Sequence, residues 1–195
     1  MTTTTRGNRR PTARQAQLFD ELTALFLAEG FARFTLDDLA VRLRCSKSTL
    51  YALADSKEQL AVRVVRHFFR RATEEVEAST AGEADPARRV TAYLEAVARA
   101  LTPASRAFRR DLEAFPPGRA VYEQNTAVAA ERVGALIADG VTAGRFRAVH
   151  AALVADTVTT LMLRIGRGDT ARATGLDDAA AYRELAGLLL HGISR

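Results

Sequence analysis

Residues 30–60 read GFARFTLDDLAVRLRCSKSTLYALADSKEQL, and this stretch decides the fold. Thr35 offers an N-cap oxygen, and Asp38, three residues on, complements a helix start. The helix so opened is short and turns Leu36, Leu39, Ala40 and Leu43 to one side. Arg44-Cys45-Ser46 breaks it, and a second short segment runs from Lys47 to about Leu53, with Leu50 and Leu53 facing back onto the helices before it. Ser56-Lys57-Glu58-Gln59 fits a capping box and starts a long helix reaching about Ser79. Two short helices joined by a tight turn, behind a longer supporting helix, are the plan of a helix-turn-helix.

The supporting helix lies upstream. From about Thr12, Ala16, Phe19, Leu22, Leu25 and Phe26 recur at three- and four-residue steps, and Gly30 ends the run. Downstream, Gly82 and Asp85-Pro86 close the long helix, Pro86 being suited to the first position of the next. Further helices are expected at about 86–101, 105–115, 119–142, 148–166 and 178–193. Thr102-Pro103, Pro116-Pro117-Gly118, Gly144 and a Gly166–Gly175 loop separate them. The expectation is an all-α chain of about nine helices without a strand. It divides into a flexible basic arm (1–11), a helix-turn-helix domain (12–71) and a further helical domain (72–195).

Charge is distributed to match. The 195-residue chain carries +5 overall, but residues 1–71 hold 13 basic against 7 acidic side chains, while the remainder is close to neutral. A basic N-terminal third points to a polyanionic partner for that part alone. No apolar run reaches the roughly 20 residues that span a bilayer, so no membrane role is expected. The threonine- and arginine-rich residues 1–11 do not read as a secretory signal, and the expected location is the cytoplasm. Cys45 is the sole cysteine and His67, His150 and His191 are scattered, so neither a metal site nor a cofactor is expected. Cys45 reads most simply as a small apolar plug; a redox switch would need a lowered pKa and a thiol in another subunit. With no phosphate loop and no catalytic set in view, the chain is not expected to be an enzyme.

The second short helix carries the chemistry. Lys47, Ser48, Thr49 and Tyr51 crowd its N-terminal half, an ammonium and hydroxyls of the kind that reach phosphate oxygens. Thr35 and Lys57 begin the two flanking helices, where free N–H groups favour phosphate. Arg42 and Arg44 border the turn, as base readers or solvated charges. Only two lysines occur, Lys47 and Lys57, against 26 arginines; a compact ammonium at these two points suggests a steric requirement. Arg6, Arg9, Arg10 and Arg14 suit either a solubilising tail or an arm reaching into the minor groove.

Gly30-Phe31, Thr35, Leu39-Ala40, Ser46-Lys47, Thr49-Leu50-Tyr51 and Ser56-Lys57-Glu58 together resemble the DNA-binding domain of the TetR family of bacterial regulators. Two departures stand out. The family commonly has Gly-Val where this chain has Arg44-Cys45, and a His-His-Phe-like stretch where it has Ala52-Leu53-Ala54. The first bears on the backbone of the turn, since arginine tolerates positive φ poorly. The resemblance implies DNA contacts at Thr35, Arg44, Ser46, Lys47, Ser48, Thr49, Tyr51 and Lys57.

It further implies a small-molecule pocket between the central helices. Tyr93, Leu94, Phe108, Leu112, Phe115, Tyr122 and Met162 are the larger side chains there, with Arg109, Asn125, Asp156 and Thr160 as candidate polar anchors. Each of the large residues suits core as well as ligand contact. The last two helices carry Leu153, Val154, Val158, Leu161, Ile165, Leu185, Leu188, Leu189 and Ile193. In the family such a pair forms a four-helix bundle with its copy in a homodimer; packing within the chain is the alternative. The expectation is a repressor on a palindromic double-stranded DNA operator, released by an apolar or amphipathic effector. A nucleoid-type DNA binder without a ligand, or a small helical enzyme acting on a hydrophobic substrate, are the rivals.

Overall fold

The computed structural model describes residues 13–193. Its elements are α1 (Ala13–Glu29), α2 (Leu36–Arg42), α3 (Lys47–Leu53), α4 (Lys57–Thr80), α5 (Pro86–Leu101), α6 (Arg106–Ala114), α7 (Pro116–Thr142), α8 (Ala151–Gly166), α9 (Asp169–Thr174) and α10 (Asp178–Ile193), with no strand among them. The arm at 1–11, with Arg6, Arg9 and Arg10, lies outside the described residues.

The count is ten helices rather than nine. The stretch expected as a Gly166–Gly175 loop contains α9, set off by Gly168 and Gly175, both with positive φ. These glycines stop a helix on either side, but the six residues between them still close one turn. Pro116-Pro117-Gly118 also differs from expectation. It opens α7 instead of preceding it, because proline's fixed φ and missing N–H suit a first turn.

Two apolar cores organise the molecule. The first joins α1–α3 and the start of α4 around Leu22, Phe26, Leu39, Leu50 and Leu60. It also takes in Phe108 and Leu112 of α6 and Tyr122 of α7. The second lies among α5, α7, α8 and α10, around Leu94, Val133, Ile137, Val158 and Tyr182. Helix α4 is continuous across residue 71, so its first half belongs to one core and its second half packs on α5 and α7. Helix α6 bridges differently: it packs on α1 and on α7.

Candidate nucleic-acid interface and effector cavity

The start of α2 is a complete capping box. The Thr35 hydroxyl accepts from Asp38 N (3.1 Å), while the Asp38 carboxylate accepts from Thr35 N (2.8 Å) and from the Thr35 hydroxyl (2.7 Å). These bonds, the hydroxyl's first, hold the exposed Asp38 carboxyl below its ordinary pKa. At its end, Cys45 N donates to Ala40 O (3.0 Å) and Arg44 N to Val41 O (3.2 Å). That is the Schellman pattern, which puts the first residue past the C-cap in the left-handed region. Arg44 occupies it with φ +48°, a position that glycine fills at far lower cost. Cys45 is partly buried against the first core, and burial pushes its thiol pKa up, so it is an apolar plug and not a reactive thiolate.

Helix α3 is capped by Ser46, whose Oγ accepts from Thr49 N (3.2 Å) and lies 2.7 Å from Ser48 Oγ and 2.8 Å from Thr49 Oγ1. Leu50 and Leu53 are buried and anchor it. Lys47, Ser48 and Tyr51 are exposed on its outer side, and Thr49 is half-buried. The two lysines are both engaged: Lys47 Nζ lies 2.6 Å from Asp37, and Lys57 Nζ donates to Ala32 O (2.7 Å). Arg42 grips Glu29 through two bonds of 2.9 Å and lies over the Phe34 ring. It therefore serves the fold. Arg44, by contrast, is exposed and makes no ion pair or hydrogen bond from its side chain among the described residues. The Ser56 side chain caps α4 through Gln59 N (3.1 Å), but Gln59 answers to Asp55 N and not to Ser56 N.

Between α4 and the C-terminal helices lies a cavity in two parts. The first, about 30 Å³, is lined by Phe68, Leu101, Phe108, Leu112 and Ile165, with Arg109, Glu113 and Asp178 as its charged groups. The second, about 30 Å³, is lined by Thr73, Tyr93, Asn125, Thr126, Met162 and Tyr182 among small apolar side chains. Phe69, Leu101 and Tyr122 line both and separate them. Each part has room for a water or two as it stands, so a larger ligand must part the helices around it. Phe108, Leu112, Tyr122, Tyr93, Asn125 and Met162, all expected from the sequence, border these chambers.

Phe115 does not line them. It stacks edge-on with Phe31 at 5.7 Å between centroids, as part of the first core. Leu94 is fully buried in the second core. Of the candidate anchors, Arg109 lines the first chamber, paired with Asp178. Asn125 lines the second, its Oδ1 accepting from the Thr73 hydroxyl (3.1 Å). Asp156 and Thr160 are exposed on the outer side of α8 and do not reach either chamber.

The expected dimer stripe also splits. Val158, Ile165 and Leu185 are buried against the chain's own helices, and Ile193 is buried likewise. Leu153 and Leu188 are 64% and 70% exposed, and Val154, Leu161 and Leu189 are half-buried beside them.

One residue that sequence reading missed joins the two regions. Asp111 of α6 is 6% exposed, and its Oδ2 accepts from Phe31 N (2.7 Å) and Ala32 N (2.8 Å) in the loop between α1 and α2. Gly30, with φ +77°, must be glycine twice over: a Cβ there would collide with the Asp111 carboxylate and approach the Ala107 backbone at 3.2 Å. Ser105 N adds a bond to Leu27 O (2.9 Å). The same short helix thus presents Phe108, Arg109 and Leu112 to the first chamber and Asp111 to the base of the helix-turn-helix. A signal was present: Asp111 follows Phe108 by three residues and precedes Leu112, a carboxylate set into an apolar stripe.

Among the described residues no cluster of three or more His, Cys, Asp or Glu suits a metal ion, and no helix is long and apolar enough to cross a membrane.

Residues 18–64 match the family model for bacterial regulatory proteins of the tetR family. No curated protein matches the chain in sequence. Solved structures share its fold over nearly its whole length. A transcriptional regulator from Cytophaga hutchinsonii is 18% identical with a TM-score of 0.75, over 94% of this chain and 100% of that one. A proposed transcriptional regulator of Saccharomonospora viridis in complex with choline is 18% identical (TM-score 0.74; 92% and 97% covered). The TetR-family regulator PfmR of Thermus thermophilus is 24% identical (TM-score 0.63; 92% and 100% covered).

Proposed function

We propose that this chain, a member of the TetR family of bacterial regulatory proteins by its residues 18–64, is a homodimeric cytoplasmic repressor released from DNA by a small effector. The observation that carries the reading is the double duty of α6, which borders the first chamber through Phe108 and Leu112 and holds the α1–α2 loop through Asp111. A molecule that shifts α6 or α4 also shifts the helix-turn-helix. The effector need only favour the displaced arrangement by a few kcal/mol to empty the operator.

On DNA, α3 lies in the major groove. Lys47, Ser48, Thr49 and Tyr51 contact phosphates, with Thr35, Ser46 and Lys57 at the flanking helix starts and Arg44 beside the turn. Lys47 exchanges Asp37 for phosphate when it binds. The exposed stripe of Leu153, Val154, Leu161, Leu188 and Leu189 meets its copy, because an apolar patch of this kind is buried in most soluble proteins. A two-fold dimer sets two α3 helices about 34–36 Å apart or somewhat more, and the operator is a near-palindrome.

The test is fluorescence anisotropy on the promoter upstream of the chain's own gene and on random DNA, at one salt concentration. A preference of about a thousandfold or more for the promoter is expected. Equal affinity would overturn the regulator reading in favour of a non-specific DNA binder.

A further inference from the structure

Resting on the reading of the divided cavity as the effector site, we propose that it takes an uncharged amphiphile bearing a carbonyl group. The carbonyl oxygen accepts from the tyrosine hydroxyls of the second chamber, and the apolar portion lies against Phe68, Phe69 and Phe108 in the first.

Three observations support this. The first is unspent hydrogen-bonding capacity. Tyr93 and Tyr182 line the second chamber and are buried, at 3% and 1% exposure, yet neither hydroxyl has a partner among the described residues. Neither oxygen is fully enclosed, so each hydroxyl is free to donate to a ligand acceptor. Burial also keeps both phenols protonated, with Tyr93 pushed up to about 12 and Tyr182 well above the ordinary range, so they remain donors. Tyr122 differs, since its hydroxyl already donates to Met162 O (3.3 Å).

The second is charge. No residue lining the second chamber carries a formal charge. The arginines closest to the tyrosines are already neutralised: Arg132 is held by Glu77 at 3.1 Å, and Arg109 by Asp178. A carboxylate or an ammonium at that end would be buried without a counter-ion, which costs several kcal/mol.

The third is the division of the space. The first chamber offers an apolar wall of Phe68, Phe69, Phe108, Leu101, Leu112 and Ile165, beside the charged groups Arg109, Glu113 and Asp178. The two chambers meet at Tyr122 and Phe69, whose rings are 5.6 Å apart. A ligand spanning both meets the tyrosine hydroxyls in one and this apolar wall in the other.

The full-length protein is titrated with 2-undecanone, γ-undecalactone, decanoate and choline, followed by melting temperature and calorimetry. The two neutral carbonyl compounds should bind and raise the melting temperature, and decanoate and choline should not. Tyr93→Phe and Tyr182→Phe should each weaken 2-undecanone binding roughly three- to tenfold, the loss of one neutral hydrogen bond. Tyr93→Phe provides the test if Tyr182→Phe fails to fold.

Tighter binding of decanoate or of choline overturns the ligand class, as does an unchanged affinity in Tyr93→Phe, or no response to any of the four compounds. The regulator reading is judged separately, by promoter anisotropy with and without 2-undecanone. Binding of 2-undecanone without loss of DNA would leave the ligand class standing and overturn release by an effector.

Discussion

Removing the Asp111 carboxylate tests whether α6 holds the DNA-binding unit in place. The side chain is 7% exposed, and one oxygen receives two backbone N–H groups at 2.7 and 2.8 Å. A hydrogen bond to a charged group contributes about 1.5–3 kcal/mol, so two set a ceiling of about 3–6 kcal/mol. Two effects reduce this in Asp111→Ala. Ala32 is exposed, so its N–H recovers water, and the variant no longer bears the cost of burying a carboxylate. Phe31 N stays buried, with nothing to replace the lost acceptor. The expected loss is about 2–4 kcal/mol, which in a chain of this size lowers the melting temperature by roughly 5–15 °C. Asp111→Asn keeps an acceptor oxygen in place and gives up only the charge, costing about 1 kcal/mol.

The assay is thermal and urea unfolding of the full-length protein, followed by circular dichroism. The graded order, parent above Asn above Ala, is the diagnostic result. A change below about 0.5 kcal/mol in Asp111→Ala would refute the reasoning, because surface substitutions commonly stay within that range. DNA affinity, measured well below the melting temperature, should fall in the same order. If stability falls and affinity does not, Asp111 braces the fold without orienting the helix-turn-helix.

Arg44→Gly should stabilise the protein by about 0.5–1 kcal/mol in urea unfolding, since glycine occupies the left-handed position without steric cost but adds entropy to the unfolded chain; promoter affinity should move the opposite way. Asp37→Ala should tighten DNA binding about fivefold at low salt, because it frees Lys47 and removes a negative charge beside it; anisotropy across a salt series reads this. For Tyr93, the folded pKa of about 12 lies above the ordinary value of 10, so the neutral phenol's contribution is complete below pH 10 and is lost as pH rises through 12. Urea stability should therefore fall over that window, and Tyr93→Phe should make the fall shallower.

The helix-turn-helix was legible because its determinants are local. Thr35 and Asp38 satisfy each other within one turn, Ser46 caps through a residue three positions on, and Leu39, Leu50 and Leu53 repeat at helical spacing. Such features need no knowledge of a distant partner. The same reasoning misjudged α9, because two stop signals seven positions apart suggest a loop while leaving just enough chain for one turn. Pro116-Pro117 misled for a related reason. Proline marks a helix boundary clearly, but whether it ends one helix or begins the next depends on what precedes it.

The cavity and the contacts of α6 were less legible because periodicity identifies a face without naming what the face meets. In α8 and α10 both sides are apolar, so one stripe appears in the sequence where the structure has two. Val158, Met162 and Ile165 turn inward with Tyr182 and Leu185, while Leu153, Leu161, Leu188 and Leu189 turn outward or to the edge. Tyr182 was hidden by this overlap, since its helix reads as a dimerisation element and its ring closes the second chamber. Asp111 shows the converse. A carboxylate on an apolar stripe is a local anomaly visible in the sequence, but its partners are separated from it by 79 and 80 positions. A buried charge is retained only where something answers it, and here the answer is the backbone that carries the DNA-binding turn. The clearest contact between the two halves is therefore made by a residue that breaks the local pattern.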